Sequence, residues 1–125
     1  MMNQLCVIGR IVRDPEITEL DDGKKVSNIT VAVQRSYKNS EGEYEADFID
    51  VKLWNDVAER TADYCHKGDL VGVKGRLQTN TFETENGEKR KVTEVVAEKI
   101  TFLASRSMNR EETTVEKDAE QDIEV

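Results

Sequence analysis

Between Leu5 and Leu103 only one stretch has helical spacing; the other apolar segments alternate in twos or form β-branched runs. Residues 5–12 make a first strand, ended by Arg13-Asp14-Pro15, and Asp21-Asp22-Gly23 makes a turn. Residues 26–35 are a β-branched second strand, and Asn39-Ser40-Glu41-Gly42 is a loop before a third strand at 48–54. Asn55 or Asp56 then offers an N-cap, followed by Val57, Ala58, Thr61, Ala62, Tyr64 and Cys65 at helical spacing. Lys67-Gly68 supplies a basic last turn and a terminal glycine. Residues 70–82 form a fourth strand, Asn86-Gly87 is the strongest hairpin signal in the chain, and 92–103 form a fifth strand. The order β-β-β-α-β-β, with no long crossovers, argues against a parallel sheet. It predicts an all-β fold: a five-stranded Greek-key OB-fold barrel with one helix between strands 3 and 4.

A chain of 125 residues suits one domain with a tail. Cys6 and Cys65 lie far apart and His66 is the only histidine, so neither a disulfide scaffold nor a zinc site is expected. No metal or other cofactor is called for. No apolar run approaches the roughly 20 residues that span a membrane, and Met1-Met2-Asn3-Gln4-Leu5-Cys6 lacks a signal peptide's features. A cytoplasmic location is expected.

The formal charge is −8, but it is unevenly spread. Residues 107–125 hold two basic and seven acidic side chains and account for −5 of it. The body keeps −3 together with 16 basic groups, enough to line a positive groove. Residues 1–104 are therefore expected to be the folded domain. Residues 105–125, acidic and without aromatics, are expected to be a disordered tail.

Successive strand residues point to opposite faces. On the third strand Ile49, Val51 and Leu53 suit a core, which puts Phe48, Asp50, Lys52 and Trp54 on the other face. On the fourth, Val71, Val73 and Leu77 oppose Lys74, Arg76, Gln78 and Phe82. Two strands thus each offer an outer face of aromatics and cations. Single-stranded nucleic acid needs this mixture, because bases stack on rings irrespective of sequence and phosphates need Lys and Arg. The bland alternative is that these aromatics pack against another subunit or close a small core under a loop. Arg35 and Tyr37 share parity with Val31 and Val33, so they join such a face only if their strand bends or bulges. Acid pairs such as Asp21 with Asp22, or Asp47 with Asp50, are better explained as turn and surface residues. No catalytic triad, P-loop or GxGxxG is present, and no enzyme is expected. The competing function is a protein-interaction module of the same fold, which the negative charge would suit.

The residues also resemble a known family in register. Asn3-Gln4-Leu5-Cys6-Val7-Ile8-Gly9-Arg10 with Asp14-Pro15-Glu16, and Val26-Ser27-Asn28-Ile29-Thr30-Val31-Ala32-Val33, are similar to the first strands of bacterial single-stranded-DNA-binding proteins. Asp47-Phe48-Ile49, Leu53-Trp54, Ala58-Glu59, Lys67-Gly68, Gly75-Arg76-Leu77 and Thr93-Glu94-Val95 continue the resemblance over about residues 1–103. It implies a homotetrameric OB-fold protein that binds and protects single-stranded DNA without sequence preference in replication, recombination and repair. It places such a protein in the cytoplasm, on the nucleoid. Carried over by position, the base-stacking aromatics are Tyr37, Phe48, Trp54 and Phe82. The best phosphate-contacting candidates are Arg35, Lys52, Lys74 and Arg76, with Arg10 as a lesser one. The family's acidic tip, which docks into replication and repair proteins, typically closes with Asp-Ile-Pro-Phe. Here the chain closes with Gln121-Asp122-Ile123-Glu124-Val125, so Asp122, Ile123, Glu124 and Val125 are the corresponding partner-binding residues, with Glu-Val in place of Pro-Phe.

Overall fold

The β-branched and alternating segments form β1 (Leu5–Ile11), β3 (Lys25–Lys38), β4 (Tyr44–Trp54), β5 (Leu70–Glu83) and β6 (Lys89–Ala104). A two-residue strand β2 (Thr18–Glu19) and one helix, α1 (Asn55–Tyr64), complete the order. The computed structural model describes residues 1–106. The expected acidic tail from residue 107 onward, Asp122 to Val125 included, lies outside the described residues.

The sheet runs β1-β5-β6-β4-β3, and β3 returns to β1 through Arg10↔Ala32 and Ile11↔Val31. Five long strands therefore close a barrel, with the helix between the third and fourth of them, as the element order predicts. The short β2 is an addition: it pairs with the start of β3 across the Asp21-Asp22-Gly23 turn. Inward-facing Ile29, Val31, Val51, Leu53, Val71 and Val73 are at most 2% exposed and form the core with Ile11, Ala58 and Cys65. Each such side chain contributes about 1.5–3 kcal/mol by leaving water.

Beyond this core the strands run on as two ribbons. β3 and β4 continue past Val33 and Asp47 to the turn at Asn39–Glu43, and β5 and β6 continue past Gln78 and Glu94 to the turn at Thr84–Glu88. The turns share one geometry. The Gly87 N–H donates to the Thr84 carbonyl (2.9 Å), the Thr84 N–H donates to the Glu88 carbonyl (2.8 Å), and Gly42 repeats the first bond to Asn39 (3.0 Å). Gly87 is left-handed (φ 80°) but Asn86 is not, so Asn86-Gly87 builds a type I turn with a glycine bulge rather than a two-residue type I′ turn.

The helix departs from its expected ends. Its N-cap is Trp54, without a side-chain cap bond, and it finishes at Tyr64 with no basic residue in its last turn. Asn55 is instead left-handed (φ 49°), and its side-chain carbonyl accepts a bond from the Lys25 N–H (3.1 Å). That bond ties the helix start to β3. Lys67-Gly68 belongs to the following turn, where the Gly68 N–H donates to the Ile11 carbonyl (2.7 Å).

Closure needs close backbone approach. A Cβ on Gly9 would stand 2.4 Å from the Ala32 carbonyl oxygen, and one on Gly75 would stand 2.3 Å from that of Val96. Neither contact is with a flexible side-chain end, so the strands must move apart. Gly9→Ala is expected to destabilise the fold by about 1–3 kcal/mol, the range for overpacking. Denaturant unfolding would show it as a lowered midpoint; an unchanged midpoint would mean that β1 and β3 are not so closely apposed.

Candidate nucleic-acid interface

β4 and β6 meet in parallel over two register pairs only, Val51↔Val95 and Lys52↔Val96. Past that contact the two ribbons separate. A shallow cleft between them is lined by Asn28, Asp50, Lys52, Val92 and Glu94.

The antiparallel registers place residues in rows across the barrel's outer surface. One row runs Asn28–Lys52–Val96–Arg76, from β3 through β4 and β6 to β5. Val96 points outward yet is only 4% exposed, set in register between the two basic residues. A second row runs Phe48–Ala32–Arg10–Leu70 through β4, β3, β1 and β5. Between them lie Asp50 and Thr30, whose hydroxyl donates to the Asp50 carboxylate (2.8 Å) and accepts from Arg13 (3.4 Å). Trp54 stands at the end of β4, and the Lys52 ammonium lies 5.8 Å from its ring centroid, within cation–π range.

Phe48 (67% exposed) projects from the barrel part of β4, Tyr37 (64%) from the β3–β4 ribbon and Phe82 (48%) from the β5–β6 ribbon. Such exposure leaves ring faces open to a flat ligand. Strand parity thus puts Phe48, Lys52, Trp54, Arg76 and Phe82 on the outer surface, and the rows add Arg10, whose guanidinium donates to the Gly68 carbonyl (3.0 Å). Lys74 shares that parity but is in register with Cys6 and Lys99, away from the aromatics.

The irregularity expected near the end of the second long strand exists, between Gln34 and Lys38. It does not swing Arg35 to the Phe48 side. The Arg35 guanidinium donates to both Asp47 oxygens (2.8–3.2 Å) and to Glu45 (2.9 Å), on the face opposite Phe48. In a ribbon beyond the barrel both faces are open, so parity there does not decide access. The clamp raises the Arg35 pKa and, by the same hydrogen bonds, holds the Asp47 carboxyl below its ordinary range.

Two members of the surface escaped the sequence reading. Arg90 stands opposite Phe82, a pairing that the Thr84–Glu88 turn already dictates by counting back two residues on each side. Glu94 pairs with Lys52 (3.5 Å) and accepts a bond from Asn80 (2.8 Å), an acid set among the cations that no linear pattern reveals.

Residues 2–103 match the model of the single-strand binding protein family. The chain is 47% identical over 103 residues to "Single-stranded DNA-binding protein B" of Bacillus subtilis, covering 82% of this chain and 91% of that protein. It is 44% identical over 107 residues to "Single-stranded DNA-binding protein" of Bacillus cereus and 43% identical over 109 residues to that of Staphylococcus aureus. Those matches cover 86% and 87% of this chain, but 63% of the Bacillus cereus protein and 70% of the Staphylococcus aureus protein.

The lowered Asp47 pKa fixes the sign of a pH test. The clamp is complete above the ordinary carboxylate range and is lost only as pH falls through the depressed value. The Arg35 Nε–H resonance is therefore expected to stay constant from pH 8 down past 3.8, the ordinary value for an aspartate, and to move only below it. A titration step at 3.8 or above would show that Asp47 is not held by Arg35.

Proposed function

The chain belongs to the single-strand binding protein family, and we propose that it binds single-stranded DNA without sequence preference across the barrel's outer surface and its two ribbons. One observation carries this reading: the rows Phe48–Ala32–Arg10 and Lys52–Val96–Arg76 put ring faces and cations side by side on one surface. Phe48, Trp54, Phe82 and Tyr37 stack bases. Lys52, Arg76 and Arg10 hold phosphates close to the stacked bases, Arg90 assists beside Phe82, and Lys74 lies on the margin. Arg35 reaches the strand only when Asp47 and Glu45 release it. No base edge is read, so the sequence of the strand is immaterial, and no chemical step is assigned.

Residues 1–104 are the DNA-binding unit in this reading. The biological setting is protection of exposed single strands during replication, recombination and repair, in the cytoplasm on the nucleoid, with the family's homotetrameric assembly. Recruitment of partner proteins through Asp122, Ile123, Glu124 and Val125 belongs to the same reading. It is tested by pull-down with and without residues 107–125.

Binding is expected in a mobility-shift assay with oligo-dT and with mixed-sequence strands alike, weakening as salt rises. Phe48→Ala and Phe82→Ala are each expected to lose about 1–3 kcal/mol, the worth of one stacked base. The double variant Asp47→Asn/Glu45→Gln, which removes both carboxylates that hold Arg35, is expected to tighten binding modestly. Unchanged affinity in both aromatic variants would remove the outer surface from the site.

A further inference from the structure

A second groove lies between α1 and β6, away from the two rows. Its walls are Arg60 and Tyr64 of the helix and Phe102 of the strand, with Lys99 at the rim, where its side chain shares the face of Lys74 rather than that of Ile100 and Phe102. Val57 and Ile100, packed against the core, form its apolar floor. Tyr64 is 72% exposed and Phe102 43% exposed, so two rings again present open faces. Arg60 and Lys99 have no carboxylate partner among the described residues. Glu98 is the one acid at the rim, leaving two cations to one anion on a chain of net charge −8. Lys99 also stands in register with Lys74. Like charges opposed across strands cost stability, and an intervening anion relieves that cost.

The groove is also continuous with the outer surface. α1 starts directly after Trp54, and Tyr64 ends it ten residues on, about 15 Å further at 1.5 Å per residue. A strand leaving Trp54 along the helix passes Arg60 and arrives at Tyr64.

We propose that this groove is a second subsite for single-stranded DNA, in which Tyr64 and Phe102 receive a base and Arg60 and Lys99 the flanking phosphates. The inference rests on the single-stranded-DNA reading above and extends it to strands longer than the outer surface can hold. The ligand class follows from the composition and the position: exposed rings beside cations suit a base and its phosphates, and the groove continues the outer surface from Trp54.

The test uses the full chain, its Tyr64→Ala variant and an Arg60→Ala/Lys99→Ala double variant, titrated with an oligo-dT series of increasing length. All these side chains are on the surface, and circular dichroism checks that the variants stay folded. Short oligonucleotides confined to the outer surface are expected to bind all three proteins equally. Above a threshold length both variants are expected to bind about fivefold or more weakly than the parent chain, while Tyr64→Phe, which keeps the ring, binds as the parent does. Equal affinities at every length would overturn the subsite and leave the groove to a protein partner. A loss that is the same at every length would overturn it as well. Failure of the underlying function would look different, since the parent chain itself would then bind no oligonucleotide.

Discussion

The barrel closes through two brief backbone contacts. β1 meets β3 at Arg10↔Ala32 and Ile11↔Val31, and β4 meets β6 at Val51↔Val95 and Lys52↔Val96. Because the first is so close that Gly9 leaves no room for a Cβ, the core residues on β1 and β3 are sealed from water at that edge. Because the second is so short, β3–β4 and β5–β6 are free to diverge as ribbons on either side of a cleft. The outer rows exist only because these contacts lock five strands into one register. A slip of a single residue would turn Phe48 and Lys52 inward and Val51 outward.

Much of this was legible in the sequence because the strand period is strict. Ile49, Val51 and Leu53 against Phe48, Lys52 and Trp54 is a two-residue alternation, and the structure keeps it. The element order and the turns were legible for the same reason: Pro15, Gly23, Gly42 and Gly87 each mark a break. The helix start was not, since Asn55 spends its side chain on the Lys25 N–H thirty residues away, a bond that no local pattern encodes. The ribbon ends were also obscure, since parity has no meaning where neither face is covered. Arg35 illustrates this: its spacing is that of a core-side residue, but what decides its role is the pair of carboxylates at Asp47 and Glu45 on the neighbouring strand. Glu94 was hidden likewise, because its place beside Lys52 depends on the parallel β4–β6 contact.

The acids make sense of a negative chain with an interface for an anion. Within the folded part, several carboxylates are engaged by the cations and hydroxyls of the surface: Asp47 and Glu45 by Arg35, Glu94 by Lys52, and Asp50 by Thr30. Exposed pairs of this kind add little stability, but they orient long side chains and, in the proposed mode of binding, are exchanged for phosphate. Stacking on Phe48 and Phe82 has no such internal competitor. In the proposed mode of binding, affinity rests more on ring faces than on charge, which suits a binder indifferent to base identity.

Trp54 is the only tryptophan in the chain, and it lies where the β4 face meets the helix, under the Lys52 ammonium. Its fluorescence reports on ligand and site together. Titration with oligo-dT at low salt is predicted to quench the emission in a saturable way, with a midpoint that moves to higher DNA concentration as salt is raised. Unchanged emission across the titration, at DNA concentrations well above those of the protein, would contradict binding at this surface.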